Sequence, residues 1–150
     1  MSDPRAYPER PFLAVSAAII RDGRVLVARR AKPGSASVGL FTLPGGVVEA
    51  GETLHQAIVR EVAEETAITI EPIALAGHRE FITRDAAGRV ERHFVILCFA
   101  ARWLAGEGAP NPDELSELRW VRPADIAALR TTEGLAGIVA AAFACTEAGA

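Results

Sequence analysis

An α/β fold, with a mixed sheet and packed helices, is predicted by three features of this chain. Apolar, β-favouring runs stand at residues 12–20 and 93–103. A turn at Pro44-Gly45-Gly46 leads toward a helix-compatible stretch that ends at Thr66 without an internal Gly or Pro. A third, Ala-rich segment at 133–143 has the composition of a closing helix.

Taken in order, the elements follow from local chemistry. Residues 1–11 are polar and punctuated by proline, and read as a flexible arm. The run 12–20 is a strand, and Asp22-Gly23 is a hairpin signal before Val25-Leu26-Val27. Arg29 and Arg30 end that second strand, where surface solubility is the ordinary account of them. Residues 32–39, rich in small residues and Pro, form a loop, and Leu40-Phe41-Thr42-Leu43 delivers the chain to the glycines, with Phe41 read as core. Thr53-Leu54-His55-Gln56 fits a capping box.

Beyond the helix, residues 68–78 read as a strand that Pro72 confines to an edge or a bulge. A turn at Ala86-Ala87-Gly88-Arg89 makes the next connection a hairpin, and the almost continuously apolar 93–103 belongs at the centre of a sheet. A loop over 106–113 precedes a short strand at 117–121. Pro123 suits the first position of a helix over 124–129, and the helix at 133–143 follows. One domain, 1–150, accounts for the whole pattern.

Composition limits the partners. The net charge is −3, which gives no electrostatic case for a nucleic-acid polymer. No apolar run approaches the roughly 20 residues that cross a bilayer, and the first residues lack the apolar stretch of a signal peptide, so a cytoplasmic setting is expected. Cys98 and Cys145 have no metal-ligand spacing and are read as packing.

The helix carries the most informative residues. With Leu54 at zero, Ile58, Val62 and Val59 fall at about 40°, 80° and 140°, and Glu61, Glu64 and Glu65 at about 340°, 280° and 20°. Three carboxylates therefore share one edge beside the apolar stripe. Like charges at these spacings oppose the helix by roughly 0.2–0.5 kcal/mol per pair. Arg60 offsets part of this, and a hard divalent cation would offset the rest. A solvated acidic face is the ordinary alternative for such a helix taken alone.

Gly46, Glu52 and the run Arg60-Glu61-Val62-Ala63-Glu64-Glu65-Thr66-Ala67-Ile68 resemble the Nudix box, G-x5-E-x7-R-E-U-x-E-E-x-G-U, with U bulky and aliphatic. The single departure is Ala67, where the family has Gly, a residue suited to the left-handed conformation that often ends a helix. The resemblance implies an α/β/α sandwich and Mg²⁺-dependent hydrolysis of a nucleoside diphosphate linked to another moiety, with Mn²⁺ as a possible substitute. It implies Glu61 and Glu65 as leading metal ligands, and Glu64 as either a further ligand or the base. The carbonyl of Gly45 would complete the sphere. It gives Arg60 an orienting role toward Glu64, Glu52 a supporting role in the loop, and Arg29 and Arg30 contact with substrate phosphates. Glu114 and Glu117 are candidates for a base or substrate contact outside the box; ordinary loop acids are the competing account.

Substrate markers are sparse. Thr83 and Arg84 stand in the region where some ADP-ribose hydrolases of the family carry a Pro, the only Tyr is Tyr7, and the SQPWPFP motif of the NADH group is missing. The overall pattern resembles the compact bacterial group of ADP-ribose pyrophosphatases and nucleoside triphosphate hydrolases. The expected partner is therefore a small nucleotide, bound by a monomer or homodimer. Phe81, Phe94, His78 and His93 are candidates to contact a base, although packing is the commoner role for each. A non-catalytic nucleotide sensor is the rival class, and the intact acids weigh against it.

Overall fold

The computed structural model describes residues 3–35 and 37–148. Seven strands form one mixed sheet: β1 (Phe12–Arg21), β2 (Arg24–Arg30), β3 (Phe41–Thr42), β4 (Gly45–Val47), β5 (Thr69–Arg84), β6 (Val90–Ala105) and β7 (Leu115–Val121). The main path runs β3-β2-β1-β6-β5, with β4 paired to β1 and β7 to β2. Helix α1 (Leu54–Thr66) follows β4, and α2 (Leu135–Ala148) closes the described chain.

β1 is the strand on which the sheet turns. It pairs in parallel with β6 from Phe12↔Phe94 to Ile20↔Arg102, and antiparallel with β4 and β2 at opposite ends of its other edge. Asp22 and Gly23 both have positive φ, 51° and 74°, which matches the twist that a tight antiparallel hairpin requires. The parallel pair needs a long crossover, and α1 lies within it.

Each face of the sheet buries its own core. Val15, Ala17, Ile19, Leu26, Phe99 and Ala101 pack with Ile58, Val62 and Ile68 on the α1 side. Ala18, Val25, Val27, Phe41, Cys98 and Val121 pack with Leu135, Ile138 and Val139 on the α2 side. Full burial of one such aliphatic or aromatic side chain contributes about 1.5–3 kcal/mol. These layers give the α/β/α sandwich expected from the sequence.

Several boundaries differ in instructive ways. β5 runs unbroken past Pro72 because the chain bulges there, and it is an edge strand, as a mid-strand proline demands. The helix expected at 124–129 is a 3-10 helix, Pro123–Ala128, with Ile126 its one buried residue. α2 starts later than expected, after Gly134 at φ 80°, and runs on to Ala148. In the arm, Asp3 binds Arg92 at 3.0 Å and the Tyr7 hydroxyl donates to Asp85 at 2.9 Å, so residues 3–11 are tied to the β5–β6 hairpin.

The capping box is formed in full: the Gln56 N–H donates to Thr53 Oγ1 at 3.1 Å and the Thr53 N–H to Gln56 Oε1 at 2.9 Å. At the other end Ala67 adopts φ 58°, ψ 27°, and its N–H bonds the Ala63 carbonyl. The left-handed geometry persists although the residue is not glycine. Ala67→Gly should therefore raise stability by about 1 kcal/mol, because Gly carries no Cβ penalty at positive φ. A paired thermal melt checks this, and a lower melting temperature for the Gly variant would refute it.

Candidate functional site

Two glycines set the approach of β4 to β1 and of α1 to β4. An added Cβ on Gly45 would collide with the Val15 carbonyl and stand 2.7 Å from Ser16 Cα. One on Gly46 would fall inside the Glu61 carboxylate, 2.6 Å from its Oε1. The ladder bonds Ala17 N–H to Pro44 O and Val48 N–H to Leu13 O alternate along β4. The peptide groups of Gly45 and Val47 therefore face away from β1. The Val47 carbonyl accordingly accepts from Arg60 at 3.3 Å, and the Gly45 carbonyl shares that orientation toward α1.

Arg60 is the hub. Its Nε and Nη2 grip Glu52 in a fork, both at 2.7 Å. Nη1 reaches Glu61 at 2.9 Å and Glu64 at 3.3 Å. Hydrogen bonds from Arg60 and then from the Glu49 N–H hold the Glu52 carboxyl down at about 2. The same pairing with Glu52 pushes the guanidinium up. Glu61 is pushed up chiefly by burial, against which Arg60 pulls.

Glu65 is the unusual member. It is 6% exposed, and its Oε2 is buried without a hydrogen-bond partner. Burial is the main cause that lifts its carboxyl to about 8; Glu61 and Glu114 reinforce the shift, while Arg30 and the Gly45 N–H oppose it. Arg30 approaches Glu65 at only 3.9 Å and Glu114 at 3.8 Å. The helical wheel had Glu65 beside the apolar stripe; in the fold it lies within the covered face.

Among the described residues no three His, Cys, Asp or Glu side chains converge as a ready metal cluster. Arg60 draws Glu61 and Glu64 to itself, and Glu64 stands 57% exposed. The donor set nonetheless suits a hard divalent cation: an orphaned buried carboxylate oxygen, a second carboxylate seated against Gly46, and a backbone carbonyl facing the helix.

The remaining sequence candidates divide. Arg30 and Glu114 lie beside Glu65. Arg29 is occupied by Ser116 at 3.1 Å and Glu117 at 3.6 Å, and Glu117 also holds Arg119 at 2.6 Å. Phe81 pairs with Phe94 across the hairpin, on one face with Arg79, whereas His78 and His93 alternate onto the other face. Phe41 is buried as expected, with Arg119 and Arg29 over its ring. Arg79, Thr42 and Thr132, which no sequence motif marks, meet across β5, β3 and the segment before α2. Period-two alternation through Gly77, Arg79 and Phe81 could have placed Arg79 on the inner face.

Comparison with known proteins bears on the family. The NUDIX domain model matches residues 10–142. The chain is 32% identical over 123 residues to the NAD-capped RNA hydrolase NudC of Photobacterium profundum, covering 82% of this chain and 42% of that protein. It is 35% identical over 97 residues to the ADP-ribose pyrophosphatase of Methanocaldococcus jannaschii, covering 65% and 54%. The chain thus spans about half the length of these curated relatives. Its fold superposes on the MutT NUDIX hydrolase from Burkholderia pseudomallei with a TM-score of 0.76 at 29% identity, covering 88% of this chain and 98% of that one.

Glu65 makes metal-free stability depend on pH. Between about 4.5 and 8 the folded protein retains a proton that the unfolded chain has released. Stability should therefore fall as pH rises across that window, and Glu65→Gln should flatten the slope. Urea unfolding in chelator at pH 5, 6.5 and 8 tests this, and equal slopes for the two proteins would refute it.

Proposed function

The chain belongs to the NUDIX family, and from that membership we propose that it hydrolyses the diphosphate bond of a small nucleotide with a divalent metal, Mg²⁺ first. The observation that carries this reading is the orphaned Glu65 carboxylate, buried next to the Gly45-facing side of α1 with Glu61 one turn away. In this reading Glu61, Glu65 and the Gly45 carbonyl hold the metal. When bound, the metal neutralises the diphosphate, polarises the attacked phosphorus and lowers the pKa of bound water.

The chain's own side chains supply the rest. Arg60, locked onto Glu52, fixes the direction of Glu61 and Glu64. Glu64, exposed and held among the described residues by the 3.3 Å contact to Arg60 alone, is the carboxylate free to take the proton of an attacking water. Arg30 offers a planar fork beside Glu65 for a phosphate oxygen. Glu117 pairs with Arg29 and Arg119, whereas Glu114 shares Arg30 with Glu65, so Glu114 is the better placed acid outside the helix.

For the substrate we favour ADP-ribose or a related nucleoside diphosphate sugar, in keeping with the likeness to the archaeal ADP-ribose pyrophosphatase. A nucleoside or deoxynucleoside triphosphate is the second reading, because Thr83 and its neighbours stand where some ADP-ribose hydrolases of the family carry a Pro. The NudC likeness adds NAD to the compounds worth assaying.

Glu61→Gln and Glu65→Gln should each lower Mg²⁺-dependent turnover by orders of magnitude while circular dichroism keeps its native form. Wild-type turnover by both would remove the metal site. A panel of ADP-ribose, NAD and triphosphates, compared by kcat/KM, decides the substrate. A hundredfold preference for any triphosphate would overturn the first choice.

A further inference from the structure

Arg79 is a half-buried guanidinium that has no carboxylate within 4.0 Å among the described residues. Its Nη1 donates to Thr132 Oγ1 at 2.9 Å and to the Glu133 carbonyl at 3.1 Å, and Nη2 has a long 3.5 Å contact to Thr42 Oγ1. Its Nε is buried without a partner. Neutral acceptors hold the group in place but leave its charge uncompensated. A charge taken out of water without a counter-charge is costly to the fold. Burial accordingly pulls the guanidinium below its ordinary range.

The surroundings indicate what would compensate it. Register places Arg79 and Phe81 on the sheet face shared by Ile96 and Phe94, and Phe12, Ala14 and Ser16 continue that face on β1. Phe12 and Phe94 have ring centroids 5.9 Å apart, and Arg79 lies 5.3 Å over Phe81. Ser16, opposite Gly45 in the ladder, has a buried hydroxyl with no partner. Thr42 stands just before Leu43-Pro44-Gly45. The unpaired cation thus lies on the α2 side of the sheet, with the aromatic pair on one side and Thr42, three residues before Gly45, on the other.

We propose that Arg79 binds an oxyanion of the nucleotide's phosphate chain, presenting Nη2 beside Thr42 while Thr132 and Glu133 fix the opposite edge of the guanidinium. The assignment rests on the nucleotide reading given above. A neutral base or ribose would satisfy a hydrogen bond yet leave the charge unbalanced, whereas a phosphoryl oxygen does both. The aromatic surface beyond Arg79 then faces the non-phosphate end of the ligand.

The test uses wild type, Arg79→Met and Arg79→Lys. In chelator, inorganic pyrophosphate at millimolar concentration should raise the melting temperature of wild type and Arg79→Lys, and leave that of Arg79→Met unchanged. With Mg²⁺, Arg79→Met should raise KM for the preferred nucleotide at least tenfold, with the larger share of the loss in KM. Arg79→Lys should recover most of it. Adenosine, which lacks phosphate, should inhibit all three proteins alike. Equal pyrophosphate protection of folded wild type and Arg79→Met would overturn the proposal, as would an equal loss of adenosine and pyrophosphate binding. If Arg79→Met does not fold, Arg79→Gln takes its place: loss of pyrophosphate protection in a variant that melts as wild type supports the anion role, and retained protection with an unchanged KM overturns it. Absence of turnover with any nucleotide, together with Arg79-dependent protection by pyrophosphate, would reject the hydrolase reading and keep this anion site.

Discussion

Two missing Cβ atoms set the geometry of this protein. Gly45 lies so close to the backbone of β1, and Gly46 to the Glu61 carboxylate, that neither place has room for a side chain. The absence of the first side chain brings β4 onto β1, and that of the second lets α1 come down onto β4. Together these absences leave the backbone of β4 facing the acids of α1. Everything proposed about the site depends on that approach. Arg60 can bridge Glu52, Glu61 and the Val47 carbonyl only because helix and strand are this close.

The acids of α1 hold three different positions although they share one helix edge. Glu64 is exposed, Glu61 is partly covered and bound by Arg60, and Glu65 is buried with one oxygen unpaired. The protein compensates the first two with a guanidinium and leaves the third as a carboxyl that burial drives toward protonation. A cation would reverse that preference. In the metal-binding reading, the cost of burying that carboxylate unpaired and an affinity for a cation would be one property, seen without and with the ligand.

Local chemistry was legible in the sequence wherever the deciding contacts were near neighbours. Thr53 and Gln56 announced the helix start, Asp22-Gly23 the hairpin, and Pro72 the edge position of β5. Ala67 kept the left-handed turn because the Gly106–Pro110 loop reaches back over the helix end, where the Ala109 N–H bonds the Thr66 carbonyl. No local signal carries that. The burial of Glu65 and the pairing of Arg29 with Glu117 were hidden for a similar reason: both depend on strands distant in the chain, β2 and β7. Arg79 was missed because a single arginine in an edge strand reads as solvent-facing until the register of β5 on β6 is known.

The parallel pairing of β1 with β6 has a consequence for how this molecule is made. Phe12 must wait for Phe94, so the strand at the heart of the sheet cannot gain its parallel neighbour until more than half of the chain has left the ribosome. Until then β1 presents an open, strongly apolar edge, although the β1–β2 hairpin and α1 can already form from local contacts. The hazard in biogenesis thus lies in the interval between synthesis of α1 and of β6, when a nascent chain exposes the template to which a neighbouring copy could add a strand.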